Sequence, residues 1–164
     1  MNSETTIESL AAKLGDLLKA RGLTISTAES CTGGGIAALL TDIPGASEWF
    51  PGGFVTYSNE WKMKLLDVKQ ATLEQHGAVS SQTVGEMLDG LLKNGGADLG
   101  IAVSGIAGPG GGTPEKPVGT VYIGVAGNGW KRIERCQFSG SRADVRRATA
   151  ETALEMMLEE VGKI

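Results

Sequence analysis

Leu23-Thr-Ile-Ser-Thr-Ala-Glu-Ser-Cys-Thr-Gly-Gly34 carries the passage from strand to helix on which the fold depends. Leu23 to Ala28 alternates and is β-branched, the pattern of a strand. Glu29 to Thr32 reads as a turn, and Gly33 to Thr41 as a short helix of small and aliphatic residues. Upstream, Ile7, Leu10, Ala11, Leu14, Leu17 and Leu18 recur at helical spacing and stop at Arg21-Gly22. Downstream, a second strand is expected over Phe54 to Tyr57, then a helix over Glu60 to Leu66 capped at Ser58-Asn59. Short helical residues follow at Ala71 to Gln75, and Ser80 caps a longer helix that ends at Gly95-Gly96. Leu99 to Ser104 has the continuous apolar character of a fully buried strand. Val118 to Ala126 and Arg132 to Phe138 flank Gly127-Asn-Gly129 as a hairpin, and a last helix runs from Arg142 to Glu160. Helices and strands that alternate before a terminal hairpin predict an α/β fold, a three-layer α/β/α sandwich with a mixed sheet. No linker separates domains, so residues 1–164 are read as one.

Composition narrows the function. The 164 residues are 41% hydrophobic and 21% charged, ordinary for a globular domain large enough to bury a core without metals or disulfides. A net charge of −4 argues against a dedicated nucleic-acid binder. Two cysteines, Cys31 and Cys136, lack metal-ligand spacing and suit a reducing compartment. No membrane span is visible, and Met1-Asn-Ser-Glu4 leads into the first helix without the pattern of a secretory leader, so a cytoplasmic location is expected. The 25 glycines stand out, because they permit close approach of backbone to a ligand.

Three places can carry chemistry. Ser30 stands where a strand hands over to a helix, at the carboxyl edge of the sheet. The first N–H groups of that helix have no intrahelical partner and attract developing negative charge. A serine there can attack a carbonyl while they hold the oxyanion; equally, Ser30 or Thr32 can simply cap the helix. Cys31 is a competing nucleophile. For the base, the sequence offers the single histidine, His76, and two lysines, Lys62 and Lys64, and spacing does not choose among them. The second place is the glycine-rich run from Ser104 to Thr120, which lacks both the P-loop ending and the Rossmann spacing but suits a phosphate or ribose. The third is Arg142, which opposes the dipole of the last helix unless an anion arrives there; Arg146 and Arg147 read as a solvated face.

Thr27–Gly34, Gly53–Glu60 with Lys62, His76–Ser80, Ser104–Pro109, Pro117–Thr120, and Gly140 with Arg142, Val145 and Arg146 follow one another along nearly the whole chain. In this order they resemble the CinA C-terminal domain family, whose stand-alone members include nicotinamide-nucleotide amidase. The chain looks like the isolated domain, without the larger N-terminal domain of full-length CinA proteins. The resemblance implies a Ser/Lys amidohydrolase of pyridine nucleotide recycling. It would convert nicotinamide mononucleotide and water to nicotinic acid mononucleotide and ammonia, with no cofactor and no metal. Ser30 would be the nucleophile and Lys62 the general base, with Lys64 outside the motif. Tyr57 would assist proton transfer or hold the lysine. Substrate contacts would come from Cys31, Thr32, Gly33, Gly34 and Asn59, from Ser104, Gly105, Ala107 and Gly108, and from Arg142. Asp67 departs from the glycine of many relatives, a change expected to affect only a turn. The alternative is a non-catalytic nucleotide-sensing or partner-binding module linked to competence or DNA damage. The expected partner is a small pyridine mononucleotide, not nucleic acid or membrane. A homo-oligomer is also expected, with Trp49-Phe50 as a subunit contact or as pocket lining.

Overall fold

The computed structural model describes residues 6–164; Met1–Glu4, where the sequence reading finds no secretory leader, lies outside the described residues. Helix α1 (Ile7–Arg21) begins at Thr6, whose side chain accepts from the Ser9 N–H, and ends at the left-handed Gly22. Strand β1 (Ile25–Glu29) is buried along its whole length. It lies between β2 (Gly52–Val55) and β3 (Leu99–Gly105), parallel to both. The hairpin of β4 (Thr120–Gly127) and β5 (Trp130–Gln137) adds antiparallel to β3, giving the mixed order β2-β1-β3-β4-β5.

Side-chain alternation along the strands divides the core into two layers. Ile25, Ile101, Val103, Val121 and Ile123 pack against α1, α2 (Gly35–Thr41) and α6 (Arg142–Val161). Ala28, Ala102 and Ala126 pack on the other side against α3 (Asn59–Leu66) and α5 (Ser81–Gly95), while α4 (Gln70–His76) lies against α5. The α/β/α sandwich expected from the sequence is therefore the fold. From β1 the chain crosses to β2 through α2 on one face and returns to β3 through α3–α5 on the other. The carboxyl ends of β1 and β3 consequently face a crevice where the connections diverge, the usual place for a ligand in an open α/β sheet.

Element boundaries differ from expectation where glycine decides them. Helix α2 starts at Gly35 instead of Gly33, because Gly33 and Gly34 take φ of +58° and +99°. Strand β2 starts at Gly52 because Gly53 sits against Thr27, whose Oγ1 would collide with any Cβ at that position. It leaves the sheet before Thr56 and Tyr57. Trp49, expected as a subunit contact or as pocket lining, is buried against α1 over Gly15 and serves as neither; Phe50 packs against the same core. Asp67 takes the left-handed position that ends α3, in keeping with a turn effect.

Helices α3 and α5 meet at Gly90, where a Cβ would run into the Leu66 carbonyl. Gly90→Ala is expected to cost about 1–3 kcal/mol, the usual penalty of overpacking, measured by urea denaturation.

Candidate active site

The turn after β1 is held by its own glutamate. Alternation sends Glu29 toward α2 and Ser30 toward α3. Glu29 is 0% exposed, and its carboxylate accepts from Thr32 Oγ1 at 2.6 Å and from the N–H groups of Ile36 at 2.8 Å and Ala37 at 3.0 Å. The first-turn N–H groups assigned to an oxyanion are therefore already occupied, which corrects that expectation. The same contacts spend the Thr32 hydroxyl on Glu29, and the Thr32 side chain, like Gly33 and Gly34, does not line the cavity below. Glu29→Gln would turn an NH₂ group toward an N–H. It is expected to destabilise the fold by about 1–3 kcal/mol in a thermal or urea titration, the cost of a buried donor left without an acceptor.

Ser30 is 7% exposed and its N–H donates to Val103 O at 3.2 Å, pinning it at the edge of β3. Opposite it stands Lys62. Ser58 caps α3 by accepting from the Trp61 N–H, and the first turn of that helix directs Lys62 inward. Lys62 is 1% exposed; its Nζ donates to Ser30 Oγ at 3.0 Å, Thr56 O at 2.8 Å and Tyr57 O at 3.3 Å. All three partners are neutral oxygens. Burial without a compensating carboxylate lowers the lysine from the ordinary 10.5 to about 8. Lys64 is exposed, and so is His76, at the end of α4; neither lines the cavity. Geometry thus separates Lys62 from both alternatives, which spacing could not do. Burial pushes the Cys31 thiol up to about 11, so it stays protonated near neutral pH.

Ser30 and Lys62 open into a cavity of about 290 Å³. Cys31, Tyr57 and Asn59 share one wall with them; Ser104, Gly105, Ala107, Gly108 and Arg142 form the other. Ile106, Gly110 and Gly111, from the glycine-rich run already expected to cradle a ligand, and Ala78 and Val79, ahead of α5, complete the lining; the last two were not among the expected site residues. Tyr57 is 63% exposed and its hydroxyl accepts from Arg142 Nη2 at 3.2 Å, while Arg142 Nη1 donates to Gly108 O at 2.9 Å. The contact of Tyr57 with Lys62 runs through its main-chain carbonyl instead. Arg146, read as part of a solvated face, reaches the turn after β1: Nε donates to Cys31 O at 3.1 Å and Nη2 to Thr32 O at 3.0 Å. Arg147 does stay outside, 3.6 Å from Glu8. A larger hollow of about 780 Å³, around Trp130 and Ile164, contains none of these residues.

Among the described residues, no group of His, Cys, Asp and Glu could hold a metal ion, and no helix is long and apolar enough to cross a membrane. What fold and site define is an α/β sandwich with a buried serine–lysine pair at the crevice of its mixed sheet. Residues 7–161 match the CinA C-terminal domain, and the chain belongs to that family. It is 52% identical to the nicotinamide-nucleotide amidohydrolase PncC of Enterobacter agglomerans, over 98% of this chain and 99% of that one. It is 53% identical to a CinA-like protein of Endomicrobium trichonymphae, over 92% of this chain but 35% of that longer one. The crystal structure of competence/damage inducible protein CihA from Agrobacterium tumefaciens superposes with a TM-score of 0.92 at 45% identity, covering 93% of this chain and 94% of that one.

Proposed function

We propose that this chain is a nicotinamide-nucleotide amidohydrolase in which Ser30 attacks the carboxamide and Lys62 moves the proton. One observation carries the mechanism: Lys62 Nζ contacts Ser30 Oγ at 3.0 Å while two main-chain carbonyls, of Thr56 and Tyr57, take its other hydrogen bonds. As a neutral amine, the lysine has two protons for the carbonyls and a lone pair left for Ser30. It takes the serine proton as the oxygen bonds to the amide carbon. The resulting ammonium then delivers that proton to the amide nitrogen, the C–N bond breaks and ammonia leaves. Water attacks the ester, giving its proton to Lys62, which returns one to Ser30 as the acid departs. The identity shared with the Enterobacter agglomerans amidohydrolase supports nicotinamide mononucleotide as substrate. Arg142 and the glycines at 108, 110 and 111 offer an anion and its ribose a cationic, side-chain-poor wall.

The test is ammonia release from nicotinamide mononucleotide by the purified chain. Because the neutral lysine is the active form, the rate is expected to climb about tenfold per pH unit below about 8 and to level above it. Tight binding of the nucleotide with no ammonia at any pH would replace this reading with the nucleotide-sensing module.

Residues 1–164 are taken as one amidohydrolase domain acting in the cytoplasm, where the free thiols Cys31 and Cys136 stay reduced. Exposed Tyr57 and Trp61, beside the edge strand β2, support association of copies; a monomer's mass in light scattering would remove that part.

A further inference from the structure

We infer that Arg146 is a positioning residue for the nucleophile, setting the direction of the Thr32 N–H and with it the oxyanion site. The inference rests on the reading of Ser30 as nucleophile. Arg146 lies one turn into α6, on the layer opposite Lys62, and makes no ion pair among the described residues. Its guanidinium spends two N–H groups on consecutive carbonyls of the turn, Cys31 O at 3.1 Å and Thr32 O at 3.0 Å. A planar fork holding two acceptors fixes orientation as well as distance.

The consequence follows from peptide geometry. In a planar trans peptide a carbonyl and the following N–H point in opposite directions. Drawing the Cys31 carbonyl toward α6 therefore turns the Thr32 N–H away from α6, toward the side on which Ser30 meets Lys62. Several donors of this turn are committed, Gly33 N–H to Ser30 O at 3.0 Å, Gly35 N–H to Thr32 O at 2.9 Å, and those of Ile36 and Ala37 to Glu29, whereas among the described residues the N–H groups of Cys31, Thr32 and Gly34 are not. Glu29 grips the same turn from the helix side through Thr32 Oγ1. Ser30 and its neighbouring donor are thus fixed before substrate arrives, the preorganisation that charge stabilisation requires.

The test compares Arg146→Ala, Arg146→Lys and the neighbouring Arg147→Ala on nicotinamide mononucleotide. Arg146→Ala is expected to lower kcat roughly 100-fold with KM within about twofold, because misplacement by about 1 Å costs that much without touching ground-state binding. Arg146→Lys, with one donor direction at a time, should fall between, added guanidinium ion should restore part of the rate in Arg146→Ala only, and Arg147→Ala should match wild type. A raised KM at unchanged kcat would make Arg146 a substrate-phosphate contact and overturn the proposal. Failure of both Arg146 variants to fold would make it merely structural and overturn it too. Wild-type kcat in Arg146→Ala beside an inactive Ser30→Ala sinks this inference alone; full activity in Ser30→Ala sinks both it and the nucleophile reading.

Discussion

Lys62→Met should lower the rate of ammonia release by about 10²- to 10⁴-fold, the share a general base contributes, while the protein still folds. Methionine keeps an unbranched apolar stem in a site that is 1% exposed, but its thioether is not basic enough to take the Ser30 proton. The same substitution has a signature in stability. Burial holds the folded lysine near 8, below its ordinary 10.5, so between those values the unfolded chain binds the extra proton. Wild-type stability therefore rises with pH through that window, and below it the burial penalty is present in full. Relative to Lys62→Met, wild type is expected to gain about 2–3 kcal/mol between about pH 7 and pH 10 in urea denaturation. Parallel stability curves for the two proteins would mean that the lysine is not perturbed, and a rate within tenfold of wild type would mean that it is not the base.

Ser30→Ala should remove turnover by roughly 10⁴-fold or more, as loss of a nucleophile does in enzymes whose catalytic groups act as a unit. The substitution deletes one oxygen and leaves the backbone bond from Ser30 to Val103 and the Glu29 grip on the turn, so near-native stability is the companion result. Cys31 is the control. Its thiol borders the cavity but is held at about 11, and Cys31→Ala should keep activity within about tenfold. The opposite pattern, an inactive Cys31→Ala and an active Ser30→Ala, would transfer the nucleophile to sulfur.

Much of the fold was legible in sequence because local signals agreed with tertiary ones. Gly22, Ser58, Ser80 and Gly96 stand at the helix ends that their chemistry marks, and the apolar run at Leu99 is the buried strand it resembles. Strand order was not legible, since the β1–β3 pairing joins segments separated by two crossovers. The site divided in the same way. Ser30 could be read from its place between strand and helix, but Lys62 and Lys64 differ only in which way one turn of α3 faces, and burial decides that. No local pattern marks Glu29, six residues ahead of α2, as the acceptor for the Ile36 and Ala37 N–H groups; it closes the helix N-terminus to any ligand. Arg146 lay 115 residues from Cys31 in sequence, and nothing local marks which arginine of α6 turns inward.

The central claim is a covalent bond between Ser30 and the acyl group. Acid quenching during turnover of nicotinamide mononucleotide, followed by fragment mapping in a mass spectrometer, tests it most directly. The prediction is an acyl ester on Ser30, absent from Ser30→Ala. The same adduct on Cys31, or an unmodified Ser30 together with full turnover by Ser30→Ala, would contradict it.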